Sequence, residues 1–170
     1  FCSSSTGNYF VRENSPAIDG GIDGGLVGCL SAGCGPINLG PVWYVDSNGD
    51  NSSDGSLETP FETINWAVST ASNGDTIRLN PGVYVGSIDF DGKFLVLESR
   101  TFELGDSAVI TETFFAPGPV GGNCLSLVGP DAENITLRGI SFRGGSDPAG
   151  GGLVISNCSP TLESLVIEDN

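Results

Sequence analysis

The chain has 170 residues, 38% of them apolar, with 26 Gly and 10 Pro. That length supports one domain with a sizeable core, the apolar content excludes disorder by composition, and so much Gly and Pro favours an all-β, turn-rich fold over a helical one. Acidic residues outnumber basic ones by 21 to 6, for a net charge of −15. Such a surface repels nucleic acid and anionic lipid, which leaves metal cations, neutral sugars or further copies of the chain as expected partners. No apolar run approaches the roughly 18 residues that cross a bilayer.

Residues 1–40 differ in texture from the rest and are read as a separate closing or linker segment. They are rich in Ser and Gly, with Phe10-Val11 as the main apolar pair before Pro16. Ala17-Ile18-Asp19-Gly20-Gly21 and Leu26-Val27-Gly28 have the form of very short strands. Gly35-Pro36 and Gly40-Pro41 break the chain on either side of Ile37–Leu39. Cys29 and Cys34 are close enough to bridge across a turn, and Cys2 is the other disulfide candidate. No CxxC and no His occur, so a zinc site is not expected. The absence of any Met predicts a processed chain or an excerpt of a longer one.

Trp43-Tyr44-Val45 is read as a strand. The loop that follows, Asp46 to Ser56, carries Asp46, Asn48, Asp50 and Asp54 at alternating positions, the candidate oxygen ligands for Ca²⁺. It lacks the Gly and Glu positions of an EF-hand, and a solvated Asx-rich turn is the competing account. Asn-x-Ser/Thr sequons at Asn51, Asn134 and Asn157 are candidate glycosylation sites and suit a secreted protein. Thr59-Pro60-Phe61-Glu62 has the form of a capping box with Pro at the first helical position, predicting a helix over 60–72. Phe61, Ile64, Val68 and Ala71 make one apolar stripe, and Asn73-Gly74 ends it. Trp66 lies opposite the stripe, as a surface aromatic or a contact with another chain.

Extended segments are then expected at Thr76–Leu79, Val83–Phe90, Phe94–Glu98, Ala108–Thr111, Cys124–Val128, Ile135–Arg138, Ile140–Arg143, Leu153–Ser156 and Leu162–Glu168. Cys124 and Cys158 fall in this text as small buried hydrophobes. Leu137, Ile140 and Phe142 match Leu162, Leu165 and Ile167 at a constant offset of 25 residues, and Leu125 and Leu127 match Leu153 and Ile155 at 28. A repeat of that length made of strands and turns predicts a β-solenoid in which like residues stack on like. A β-sandwich is the competing all-β reading. It calls for hairpin turns, and neither Asn48-Gly49 nor Asn73-Gly74 joins two strands.

Trp43-Tyr44-Val45-Asp46, the acidic loop, Thr59-Pro60-Phe61-Glu62-Thr63-Ile64, Ala67, Gly74-Asp75-Thr76-Ile77 and Pro81-Gly82-Val83-Tyr84 resemble the N-terminal opening of right-handed parallel β-helix proteins of the pectate-lyase-like superfamily. Tyr9-Phe10, Asn14 to Gly21, Leu26-Val27-Gly28 and Gly33-Cys34-Gly35 resemble the segment that closes the far end of such a domain. The resemblance implies an all-β chain, a right-handed parallel β-helix (β-solenoid) with an N-terminal capping α-helix over residues 41–170. The resemblance implies, for lyases of that family, calcium held by clustered carboxylates and a basic residue, and for its hydrolases two or three Asp on neighbouring turns with a His and an Arg-x-Lys nearby. This chain has no His, one Lys (Lys93) and no Asp-Asp pair. No catalytic residue is therefore assigned. Arg138 and Arg143 lie 25 residues before Glu163 and Glu168, which predicts two ion pairs between neighbouring turns.

The function expected from these observations is structural. The protein is read as a non-enzymatic, extracellular or cell-surface protein that self-assembles head-to-tail into a filament or surface layer. Phe10, Ile18, Trp66, Leu162, Leu165 and Ile167 are its candidate interface residues, and Ca²⁺ is the one cofactor considered. The alternative is a carbohydrate-binding or polysaccharide-cleaving protein of which this chain is a fragment.

Overall fold

The structure is a computed structural model that describes residues 41–170, with the backbone alone at Asp131. The Val42-Trp43-Tyr44-Val45 run is β-branched and aromatic, suited to an extended, half-buried segment, and forms strand β1 (Val42–Val45). Helix α1 (Ile64–Thr70) follows, then β2 (Thr76–Leu79), β3 (Gly82–Val85) and β4 (Val96–Ser99). Two short helices, α2 (Thr101–Leu104) and α3 (Ala108–Glu112), precede β5 (Thr113–Ala116) and β6 (Leu125–Val128). A 3₁₀ turn at Pro130–Ala132 leads to β7 (Thr136–Arg138), β8 (Ser141–Arg143), β9 (Leu153–Ser156), β10 (Thr161–Glu163) and β11 (Val166–Glu168).

The strands form three sheets, ordered β1-β2-β4-β7-β10, β11-β8-β5-β3 and β6-β9. Every strand pair is parallel. Registers place apolar residues over one another. Trp43, Ile77, Leu97, Leu137 and Leu162 make one column. Tyr84, Phe115, Phe142 and Ile167 make a second, with Phe115 and Phe142 stacked at 5.6 Å between ring centroids. In the third sheet Leu125 and Leu127 lie over Leu153 and Ile155. The 25- and 28-residue offsets seen in the sequence are therefore real registers at the last strands.

They do not extend through the chain, and the expected fold class is corrected. The described residues form three parallel sheets of short strands with a few short helices, not the all-β right-handed parallel β-helix, or β-solenoid, that the repeat implied. Successive strands of the five-stranded sheet are offset by 34, 20, 40 and 25 residues, read from the partners Val42, Thr76, Val96, Thr136 and Thr161. Parallel pairing requires each connection to return the chain to the same end of the sheet, but it does not require equal connections. Here α1 occupies the first connection, and α2 and α3 occupy another.

Three local expectations are also corrected. The helix begins at Ile64 rather than Pro60, with Thr63 as its N-cap accepting from the Trp66 amide. Phe61 is extended instead: it bridges Val45 in parallel, donating its amide to the Tyr44 carbonyl and accepting from the Asp46 amide. The Thr59 hydroxyl is spent on Asp54 at 2.6 Å. Ala108–Glu112 is helical where a strand was expected, and the strand lies just after it. Leu162–Glu168 is two strands, divided at Ser164, whose φ is +51°. The apolar stripe itself is as the spacing predicts, with Phe61, Ile64, Val68 and Ala71 all buried and Trp66 exposed. Lys93 completes the helix at its other end, its ammonium donating to the carbonyls of Val68 and Ala71 at 2.7 and 3.0 Å, where a cation meets the last unsatisfied carbonyls.

The aromatic column supplies a test of this packing. Phe142→Ala removes a fully buried ring and is expected to cost about 3–5 kcal/mol. Ile167→Ala, in the same column but at the exposed edge, is expected to cost less than about 1 kcal/mol. Urea denaturation of the two variants measures the difference.

Candidate functional site

Side chains alternate across a strand, so the residue next to each member of the Trp43–Leu162 column faces the other way. Those neighbours are Tyr44, Arg78, Glu98, Arg138 and Glu163, and they too are in register. From Arg78 onward the column alternates in charge. Glu98, at its centre, is fully buried. Its Oε1 accepts from Arg78 at 2.7 Å from Nε and 2.6 Å from Nη2, and its Oε2 accepts from Nε of Arg138. A buried carboxylate is tolerated only when charge and hydrogen bonds replace its water, and here two guanidinium groups do so.

Helix α2 and the residue before it complete the cluster. Glu103 accepts from Arg100 at 2.6 Å and from the Tyr44 hydroxyl at 3.0 Å. The Arg100 guanidinium lies 6.0 Å from the centre of the Tyr44 ring, and that of Arg138 lies 4.7 Å from the centre of Phe102. Burial pushes the Glu103 carboxyl up, but the bonds from Arg100 and Tyr44 and the charges of Arg100 and Arg78 outweigh it and hold it below its ordinary value. Burial pulls the Arg78 guanidinium down, and its bonds to Glu98 and Tyr44 more than restore it. For Tyr44 burial is the largest cause and raises its hydroxyl. Guanidinium groups engage both Glu98 oxygens, and the group is a charge clamp between neighbouring strands.

Of the two ion pairs expected from the sequence, Arg143–Glu168 forms, at 2.7 Å. Arg138–Glu163 does not, because Arg138 turns to Glu98. Glu163 stands in register with Arg138 in edge strand β10, exposed and without a side-chain partner among the described residues. The five described cations, Arg78, Lys93, Arg100, Arg138 and Arg143, are all engaged.

The candidate calcium ligands do not converge. Asp46 accepts from Asn48 and Asn80, Asp50 from the Ser52 amide, and Asp54 from the Ser56 amide and Thr59. The bonds from Asn48, Ser52, Ser56 and Thr59 are local to the loop, and the one from Asn80 reaches Asp46 across 34 residues of chain. Among the described residues no group of three or more His, Cys, Asp or Glu is placed to hold a metal. Asn51 is likewise committed: its Oδ1 accepts from the amides of Glu62 and Thr63, and its Nδ2 donates to the Thr63 hydroxyl. The sequon residues Asn134 and Asn157 are exposed. Cys2, Cys29, Cys34, Phe10 and Ile18 lie outside the described residues. Cys124 and Cys158 are free thiols, the first buried and the second partly so.

The interface candidates separate by exposure. Leu162 is 42% exposed and Ile167 55%, and Ile155, at the edge of the third sheet, is 40% exposed. Leu165 instead packs partly buried against the core. Trp66 is exposed at 48% on α1. A groove of about 450 Å³ runs beside the free edge of β3, between exposed Val83 and Val85 and the start of α1, and holds a single carboxylate, Glu62. No helix among the described residues is long and apolar enough to cross a membrane.

The clamp was not found by sequence reasoning, although its signal is present. Thr76-Ile77-Arg78, Val96-Leu97-Glu98, Thr136-Leu137-Arg138 and Thr161-Leu162-Glu163 share one pattern with the last charge alternating. A search at constant spacing misses it because the offsets are unequal. No protein-family model matches the chain, and neither a curated protein nor a solved structure matches it significantly.

Two outcomes follow from this geometry. Glu98→Ala leaves two guanidinium groups facing a buried gap and is expected to lower stability by about 3–5 kcal/mol, measurable by chemical denaturation. Glu103 and Asp46 both titrate below their ordinary values, so the unfolded chain binds the extra protons in acid. The stability they add is complete above the ordinary glutamate value of 4.5 and is lost as pH falls through their lowered folded values. Melting curves between pH 7 and pH 3 should show that loss, and Glu103→Gln should make it shallower.

Proposed function

We propose that this protein is a non-enzymatic structural protein of the extracellular space or cell surface, whose copies associate head-to-tail into a filament or surface layer through the edges of its parallel sheets. One observation carries the reading. Apolar columns that are buried along their length end on exposed Leu162, Ile167 and Ile155, each in an edge strand. Parallel sheets ordinarily keep their faces covered. An edge strand with an apolar inner row is a template for another strand. In this reading residues 1–40 of one copy cover the β10–β11 edge of the next. A contact between two different surfaces repeats without closing unless its rotation forms a ring.

Charge supports the same choice of partner. With net charge −15 and every described cation engaged, a polyanion finds little to grip. Exposed sequons at Asn134 and Asn157 suit secretion. The reading requires no metal, and chelation should leave both melting temperature and association unchanged. Glycoside hydrolysis, one form of the carbohydrate-cleaving alternative, needs two facing carboxylates, and the groove beside β3 is lined by one, Glu62.

Sedimentation velocity and electron micrographs over a concentration series test the proposal. Wild-type protein is expected to form linear assemblies. Leu162→Asp combined with Ile167→Asp should return it to monomers with little change in melting temperature, since both side chains are already exposed. Wild-type protein that stays monomeric at high concentration would overturn the reading.

A further inference from the structure

The two sheet edges beside α1 are closed to different degrees. At β1 the chain returns on itself: Gly55 accepts from the Tyr44 amide, and Phe61 donates to the Tyr44 carbonyl and accepts from the Asp46 amide. At β3 no described strand takes that place. Just beyond β3, the side chain of Asn65 in α1 stands in for a peptide group. Its Nδ2 donates to the Ser87 carbonyl at 3.1 Å, and its Oδ1 accepts from the Asp89 amide at 3.2 Å. Backbone groups past the end of β3 are thus directed toward α1, and the 450 Å³ groove is the gap that Asn65 leaves along β3 itself. This edge has none of the features that ordinarily blunt an open strand. Between Gly82 and Val85 there is no Pro and no charged side chain, and Val83 and Val85 are 46% and 57% exposed. Such an edge accepts a further strand.

Charge selects the occupant. The walls of the groove are drawn from residues 46–65 and 82–91, which carry five Asp and two Glu and no Lys or Arg. Glu62, on the lining, has no partner for its carboxylate among the described residues. The amides of Glu62, Thr63 and Trp66 at the start of α1 are already taken by Asn51 and Thr63, so the helix adds little attraction for an anion. A second copy, with its net charge of −15, is repelled from this surface. We propose that the groove docks a basic, extended segment of a different protein. The segment adds a strand to β3, with apolar residues beside Val83 and Val85 and a Lys or Arg against Glu62. This site is separate from the head-to-tail contact and does not depend on it. Main-chain bonds hold such a strand, and its alternate side chains select it. The exposed ion pair adds little affinity, whereas the acidic walls steer a cationic segment in and turn an acidic one away.

A labelled hexapeptide of alternating Lys and Val is the probe, titrated into the intact chain at low salt and followed by fluorescence anisotropy. Binding is expected, and it should weaken as ionic strength rises. Replacing each Lys of the peptide with Glu should weaken it by about tenfold or more. Methylating alternate peptide amides removes the donors that pair with an edge and should cost about tenfold. Glu62→Arg should also weaken binding by about tenfold, with the melting temperature unchanged because the side chain is exposed. Hydrogen-exchange mass spectrometry should show added protection at residues 82–88. No binding at low salt would overturn the proposal. So would binding that survives both amide methylation and Glu62→Arg, which is adsorption to an acidic surface. Protection gained at residues 161–168 instead would place the peptide on the opposite edge, and displacement by a neutral gluco-oligosaccharide would assign the groove to sugar; either result sinks the assignment while leaving head-to-tail assembly untouched.

Discussion

In-register parallel pairing of three- and four-residue strands is the constraint on which the rest of this structure depends. Such strands are too short to bury their own apolar face. Each is stabilised by lying over the next, so that Ile77 is covered by Trp43 and Leu97, and Leu97 by Ile77 and Leu137. A one-residue slip would turn every inward side chain outward, and among the described residues the last strand of each column has cover on one side only. The exposure of Leu162 and Ile167 is thus a consequence of the same rule that buries Leu137 and Phe142.

The same registers bring charges together. Glu98 sits where strand alternation places it, on the face away from the apolar column, and α2 and its flanks cover that face. Burying a single carboxylate there would be costly, and Arg78 and Arg138 are the immediate in-register neighbours that offset the loss of water. A cluster of this kind contributes to register more than to net stability. A slip of β4 would leave the carboxylate without its partners as well as expose Leu97. Hydrophobic and ionic columns therefore select the same alignment, and consistency of that kind favours one structure over its competitors.

Several features were legible in the order of residues. The outlines of β1, β2 and β9, the buried stripe Phe61–Ile64–Val68–Ala71 and the 25-residue match of Leu137 with Leu162 all follow from local periodicity. Other features were hidden by competition. Thr59-Pro60-Phe61-Glu62 is a sound helix-start signal, but Phe61 gains more by bridging Val45, and Thr63 caps the helix instead. Ala108–Thr111 reads equally well as a short strand or a helical turn, and periodicity cannot separate the two at that length. The acidic loop contains plausible calcium ligands by composition, and their carboxylates are used by neighbouring amides.

By itself the sequence determined the apolar positions that repeat at 25 and 28 residues, where the apolar face of the helix lies, and that the chain carries far more acid than base, since all of these depend on composition and spacing along the chain. Only the tertiary structure decided which strands pair, that their connections are unequal, and that Arg138 turns to Glu98 rather than to Glu163. Those outcomes rest on contacts between residues 20 to 40 positions apart. Connections of many lengths that return to the same end of the sheet satisfy parallel pairing, so no fixed spacing in the chain announces them.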